Sequence, residues 1–194
     1  MRNASVILLS ALVASRTLAA QALPLGEHRP WIEFGLGGSS QDPNCARCRQ
    51  PGRIGGPSAS ISMGVTITQS FGLALLLRKF GEFNFEESHD ASYVVGLAQY
   101  SPLPGIIFNG GVGTGSQSGD HPPYGDNGSG TVVSGGIAFR FPEKRTFGLT
   151  VTLDWMKTVS GALRTASNQP GSSYRPLLFT LGLGLNIAGS SDTW

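Results

Sequence analysis

"TLGLGLNIAG", residues 180–189, sets an aliphatic side chain at every second position: Leu181, Leu183, Leu185 and Ile187. Between them stand Gly182, Gly184 and Asn186. A repeat of two is that of a β-strand, whose successive side chains point to opposite faces. A half-buried strand in water turns its apolar face inward and its polar face to solvent. Here the second face carries no charge and almost no side chain, so it is a poor surface for water.

The same alternation recurs in seven further segments. They are "WIEFGLG" from Trp31, "SISMGVTIT" from Ser60, "FGLALLL" from Phe71, "YVVGLAQY" from Tyr93, "IIFNGGV" from Ile106, "VVSGGIAFRF" from Val132 and "FGLTVTLDW" from Phe147. One face of each is Leu, Ile, Val, Phe, Met or Trp. The other is small or hydroxylated, as in Ser60, Ser62, Gly64, Thr66, Gly72, Ala74, Gly136, Thr150 and Thr152. By this sorting Tyr93, Val95 and Leu97 belong to the bulky face, and Gly96 and Ala98 to the small one.

Short and long connections alternate along the chain. Tight ones fall at Gln69 and Ser70, at "SPLP" (101–104) and at "PEKR" (142–145); long ones cross 40–57, 82–89, 116–129 and 160–174. Such a rhythm describes an up-and-down meander with tight hairpins at one end and long loops at the other. The expected fold is therefore all-β, an eight-stranded antiparallel barrel with strands between about 31 and 187. Eight strands enclose an interior only just wide enough for side chains. The slender face then fills the lumen and the bulky face looks outward, to lipid. A soluble ligand-binding cup of lipocalin type needs the opposite sorting, with a charged exterior, and the slender face is too poor in Lys, Glu and Asp to provide it.

Composition agrees. Charged residues make up 13% of the 194, about half the globular norm of ~25%. No apolar run approaches the ~18 residues of a spanning helix. A net charge of +2 is too small to argue for nucleic acid. The amino terminus reads as an export signal over residues 1–22: Arg2, the apolar core "VILLSALVA" (6–14) and the small-x-small "AQA" (20–22). Residues 23–194 are then the barrel domain. An uncleaved anchor would need a longer apolar stretch.

Four charges fall on the slender face: Glu33, Arg78, Arg140 and Asp154. Placed inside, two acids and two bases would pair in a cross-barrel network, either gating a narrow pore or filling a solid polar core. Cys45 and Cys48, in "CARC", are the two cysteines, and an exported location favours a disulfide between them, with intermolecular pairing or free thiols as the alternatives. Zinc would need further ligands, and His28, His89 and His121 have no ligand spacing. Arg47, Arg49 and Arg53 make the same stretch basic, suited to lipopolysaccharide phosphates. Asp120 and His121 lie together without a serine singled out as nucleophile. Glu86, Glu87, Asp90, Asp120 and Asp126 lack a calcium-loop spacing. No catalytic, cofactor or metal site is expected. Trp31, Trp155, Tyr93, Tyr100 and Tyr174 fall near strand ends, where aromatic girdles sit.

Thr180, Gly182, Leu185 and Ile187 together resemble the carboxy-terminal signal of bacterial outer-membrane barrels, which the barrel-assembly machinery reads as a strand edge. Trp194 follows a polar tail and stands apart from it. From about residue 31 to 187, strands such as "SISMGVTIT" and "FGLTVTLDW" and the connection rhythm resemble the small outer-membrane β-barrel proteins of the porin-like superfamily. The resemblance implies a bacterial outer-membrane location, with lipid and lipopolysaccharide as surroundings and the assembly machinery as a partner. It implies a structural or surface-interaction role rather than an enzymatic one. A narrow channel and a lipid-modifying enzyme are the alternatives, and the oligomeric state is left open.

Overall fold

The alternating segments become eight antiparallel strands: β1 (Arg29–Asp42), β2 (Ile54–Thr66), β3 (Phe71–Gly81), β4 (His89–Leu103), β5 (Ile106–Gly119), β6 (Gly128–Pro142), β7 (Phe147–Ser160) and β8 (Leu177–Ala188). Each pairs with its neighbour in chain order and β8 returns to β1, closing the sheet into a barrel without a free edge. This computed structural model describes residues 29–42, 54–81, 89–119, 128–142, 147–160 and 177–188. The expected export segment 1–22, the Cys45–Cys48 pair, His28, His121 and Tyr174 lie outside them.

The strands are longer than their clearest alternation. The shortest, β3, has 11 residues and the longest have 15, enough for the ~9–11 that a tilted bilayer-crossing strand requires. Polar, glycine-rich flanks join the ladder, as "GVGTGSQSG" (111–119) does at the end of β5. The long connections thereby shrink to 43–53, 82–88, 120–127 and 161–176. Antiparallel order puts the strand ends that these four join at one rim. The other rim holds the connections 67–70, 104–105 and 143–146 together with Arg29 and Ala188.

Local chemistry sets the tight turns. Thr68 Oγ1 accepts from the backbone N–H of Ser70 at 3.3 Å and of Phe71 at 3.1 Å, closing the β2–β3 hairpin. Between β4 and β5, Pro104 supplies the fixed φ of a first turn residue and Gly105 adopts φ +81°. A Cβ on Gly105 would also meet the Arg140 carbonyl oxygen at 2.8 Å, so both φ and space demand glycine there.

Seven strands sort their faces as composition predicts. Leu36, Val112, Leu181 and Leu183 are exposed by 58 to 72%, while Thr150, Thr180 and Gly182 on the alternate positions are buried. β4 is inverted. Tyr93, Val95 and Leu97 point into the lumen, and Val94, Gly96, Ala98 and Tyr100 point outward. The cause is an irregularity in the β4–β5 ladder between Tyr100 and Leu103. One extra residue in a strand moves every side chain beyond it to the other face. Leu103 at the turn points outward, and an unbroken alternation from it would put Leu97, Val95 and Tyr93 outside as well. Pro102, which has no N–H for a ladder, stands inside that irregular stretch. Ser101 braces it through Oγ–H···O contacts to the carbonyls of Leu103 and Ile106, at 3.1 and 2.9 Å.

The aromatic girdle is correspondingly smaller than expected. Tyr100 and Trp155 are outward, at 55 and 39% exposure. Trp31 and Tyr93 are buried in the lumen instead.

Candidate functional site

The lumen is where the polar and charged side chains converge. In a ring of eight strands β3 faces β7, and there Arg78 donates through Nη2 to Asp154 Oδ2 at 2.7 Å, bridging opposite walls. The Arg78 side chain is buried and that of Asp154 nearly so, both at inward positions of strands whose alternate residues face out. Nearer the tight-turn rim, Glu33 Oε2 on β1 accepts from Arg140 Nη2 of β6 at 3.5 Å and from Thr150 Oγ1 of β7 at 3.0 Å. The four charges named from the sequence thus all project into the lumen, where they form two separate pairs. Trp31 covers the lower pair, with the Arg140 guanidinium 5.5 Å from its ring centre, a cation–π distance. Gln99 Nε2 donates to Asn109 Oδ1 at 3.1 Å, and Ser39 and Thr180 share a hydroxyl hydrogen bond of 2.8 Å.

Apolar side chains occupy the half nearer the long connections. Leu76 and Phe80 of β3, Ala91, Tyr93, Val95 and Leu97 of β4, Val132 of β6, Met156 of β7 and Leu178 of β8 form one buried cluster. Strand composition makes room for it. Opposite Tyr93 on β5 stands Gly115, where a Cβ would come within 2.7 Å of the Tyr93 ring and 2.9 Å of Val132 Cγ2. Trp31 lies over Gly64 in the same manner, at 2.6 Å. An aromatic ring laid over the facing glycine restores the packing that glycine lacks. The alternation concealed this cluster because β4 carries bulky residues on both faces. The sequence signal that could have exposed it is Pro102, a residue that breaks a ladder two positions before the 104–105 turn that would otherwise fix the parity.

Space for water centres between the ion pairs and the apolar cluster amounts to about 50 Å³. Several buried donors border it without a protein partner among the described residues: Arg78 Nε and Nη1, Arg140 Nε and Ser134 Oγ. No group of three or more His, Cys, Asp or Glu side chains converges among the described residues. Thr180 and Gly182 face the lumen and Leu185 faces out, with β8 hydrogen-bonded on both sides, to β7 and β1.

No protein-family model and no curated protein sequence matches the chain. Solved structures do. Neisserial surface protein A superposes with a TM-score of 0.59 at 11% identity, over 83% of this chain and 99% of that one. Ail, the attachment invasion locus protein of Yersinia pestis, gives 0.55 at 10% identity, over 83% and 99%. Its complex with the heparin analogue sucrose octasulfate gives 0.50 at 11% identity, over the same shares. Identities this low speak to architecture alone. Closed pairing, strand count and near-complete coverage agree: the chain has the fold of the small eight-stranded outer-membrane barrels.

Proposed function

We propose that this chain is a bacterial outer-membrane barrel that acts at its outer rim rather than through its lumen, as a structural or surface-interaction protein without enzymatic activity. One observation carries the reading: side chains of opposite walls join through the lumen, while the strand ends that flank all four long connections share one rim. An outward surface of exposed Leu, Phe, Val and Ile on every strand is far larger than the apolar patch a soluble monomer leaves in water, which supports a lipid surround. Closure supports it too, since an open strand edge cannot be satisfied in hydrocarbon. Connection 43–53 carries Arg47, Arg49 and Arg53, a composition suited to phosphates of lipopolysaccharide. Ail, by comparison, was solved with a sulfated heparin analogue bound. The residues Thr180, Gly182, Leu185 and Ile187 serve in this reading as the mark by which the assembly machinery takes up the last strand.

Fractionation and electrophoresis test it. The chain is expected in the outer membrane, extracted by detergent only, with faster gel mobility before boiling than after. Arg47→Ser/Arg49→Ser/Arg53→Ser is expected to keep that mobility and lose retention on immobilised lipopolysaccharide. A chain recovered in the soluble periplasmic fraction would refute the membrane assignment, and undiminished retention of the triple variant would refute the role of the basic connection.

A further inference from the structure

We propose that the apolar cluster, and not the ion pairs, is what closes the lumen, and that the space beneath it is a chamber whose ligand is water. The proposal rests on the membrane reading above and adds where its barrier lies. In an eight-membered ring β3 stands opposite β7 and β4 opposite β8, yet Phe80, Tyr93, Met156 and Leu178 from these four strands belong to one packed cluster. Strands from opposite walls therefore contribute side chains to one apolar layer. Phe80, Val95, Val132 and Leu178 have no exposed surface at all. β5, which lends the cluster no side chain, passes it with Gly113 and Gly115 facing inward, so bulk from β4 reaches towards β6. An apolar layer without exposed surface at these positions is where water, and with it any hydrated ion, would be excluded.

Below the constriction the chemistry reverses. Arg78 Nε and Nη1 and Ser134 Oγ are buried donors of residues that line a space of about 50 Å³, its wall polar and apolar in turn. Each unsatisfied group of this kind carries a desolvation cost that a hydrogen bond removes. A water occupies about 10–15 Å³ by the same measure and needs two to four polar partners, so the space suits a small cluster of them. An ion suits it less. Asp154 already neutralises Arg78, and Arg140 neutralises Glu33, so the chamber has no net charge to hold one. Replacing the ion pairs would change what lines the chamber without opening its ceiling.

The experiment uses the whole chain refolded into lipid vesicles and planar bilayers in KCl, with vesicle flotation and unboiled gel mobility as folding checks. The unaltered protein is expected to be silent. Arg78→Met/Asp154→Leu is expected to stay silent, and Phe80→Ala/Leu178→Ala to conduct in discrete steps. Should that truncation fail to fold, Phe80→Gln/Met156→Gln removes less bulk, wets the constriction and is held to the same expectation. In isotope-labelled protein the Arg78 Nε–H is expected to show magnetisation transfer from long-lived water. Conduction by the ion-pair variant, silence of a folded plug variant or a dry Arg78 would each overturn the proposal while leaving the membrane reading intact. A chain that never enters vesicles would overturn that reading and take this one with it.

Discussion

At the scale of single residues, the most consequential atom pair is Arg78 Nη2 and Asp154 Oδ2, 2.7 Å apart and joining strands on opposite sides of the barrel. A buried ion pair contributes little net stability, because desolvating both charges offsets most of their attraction. Removing one partner is another matter, since the survivor keeps its desolvation cost and loses its compensation. Arg78→Met is expected to cost about 3–5 kcal/mol, read as a lowered urea midpoint in detergent micelles or vesicles. Arg78→Met/Asp154→Leu should recover most of that loss, and a double variant as unstable as the single one would contradict the argument. Strand parity tells which face a charge shares. It does not tell which partner the charge meets, because Arg78 reaches Asp154 across the axis at a height fixed by strand tilt and stagger, which leave no trace in local sequence.

At the scale of the element, β4 teaches most. Its ladder breaks between Tyr100 and Leu103, and that local break decides the facing of Tyr93, Val95 and Leu97 several residues away. Seven strands were legible from period two because their two faces differ in bulk, as Leu183 and Gly184 do. The facing of "YVVGLAQY" was not, because Val94 and Tyr100 compete with Val95 and Leu97 for the greasy side. The cross-strand pair Tyr93–Gly115 is the element's second constraint. Gly115→Ala would drive a methyl into the Tyr93 ring and Val132, both held in the packed cluster. Overpacking of this kind is expected to destabilise by about 1–3 kcal/mol. Thermal unfolding followed by the change in gel mobility checks it, and a variant no less stable than the parent would show that the ring has room to move. Tyr93 also receives a hydrogen bond from Gln117 Nε2 at 3.1 Å, which leaves its ring little freedom to yield.

At the scale of the whole molecule, stability divides between two solvents. The outward face answers to lipid and the lumen to its own packing, so one substitution should have opposite meanings on the two sides of β8. Leu183 lies outward at the centre of that strand, at 58% exposure. Leu183→Arg is expected to cost about 2–4 kcal/mol in a bilayer and far less in detergent, where micelles adapt to the charge. Equal costs in both media would mean that the face does not meet hydrocarbon. The architecture itself was legible at this scale: strand number, antiparallel order and the alternation of tight and long connections all follow from punctuation by Pro, Gly and Ser. The closing seam has a temporal consequence. Partners of β1 from Trp31 to Asp42 are residues of β8, synthesised after the other seven described strands. A nascent chain that has not yet received β8 exposes two raw borders at once, on β1 and β7, so closure is obliged to wait for the eighth strand.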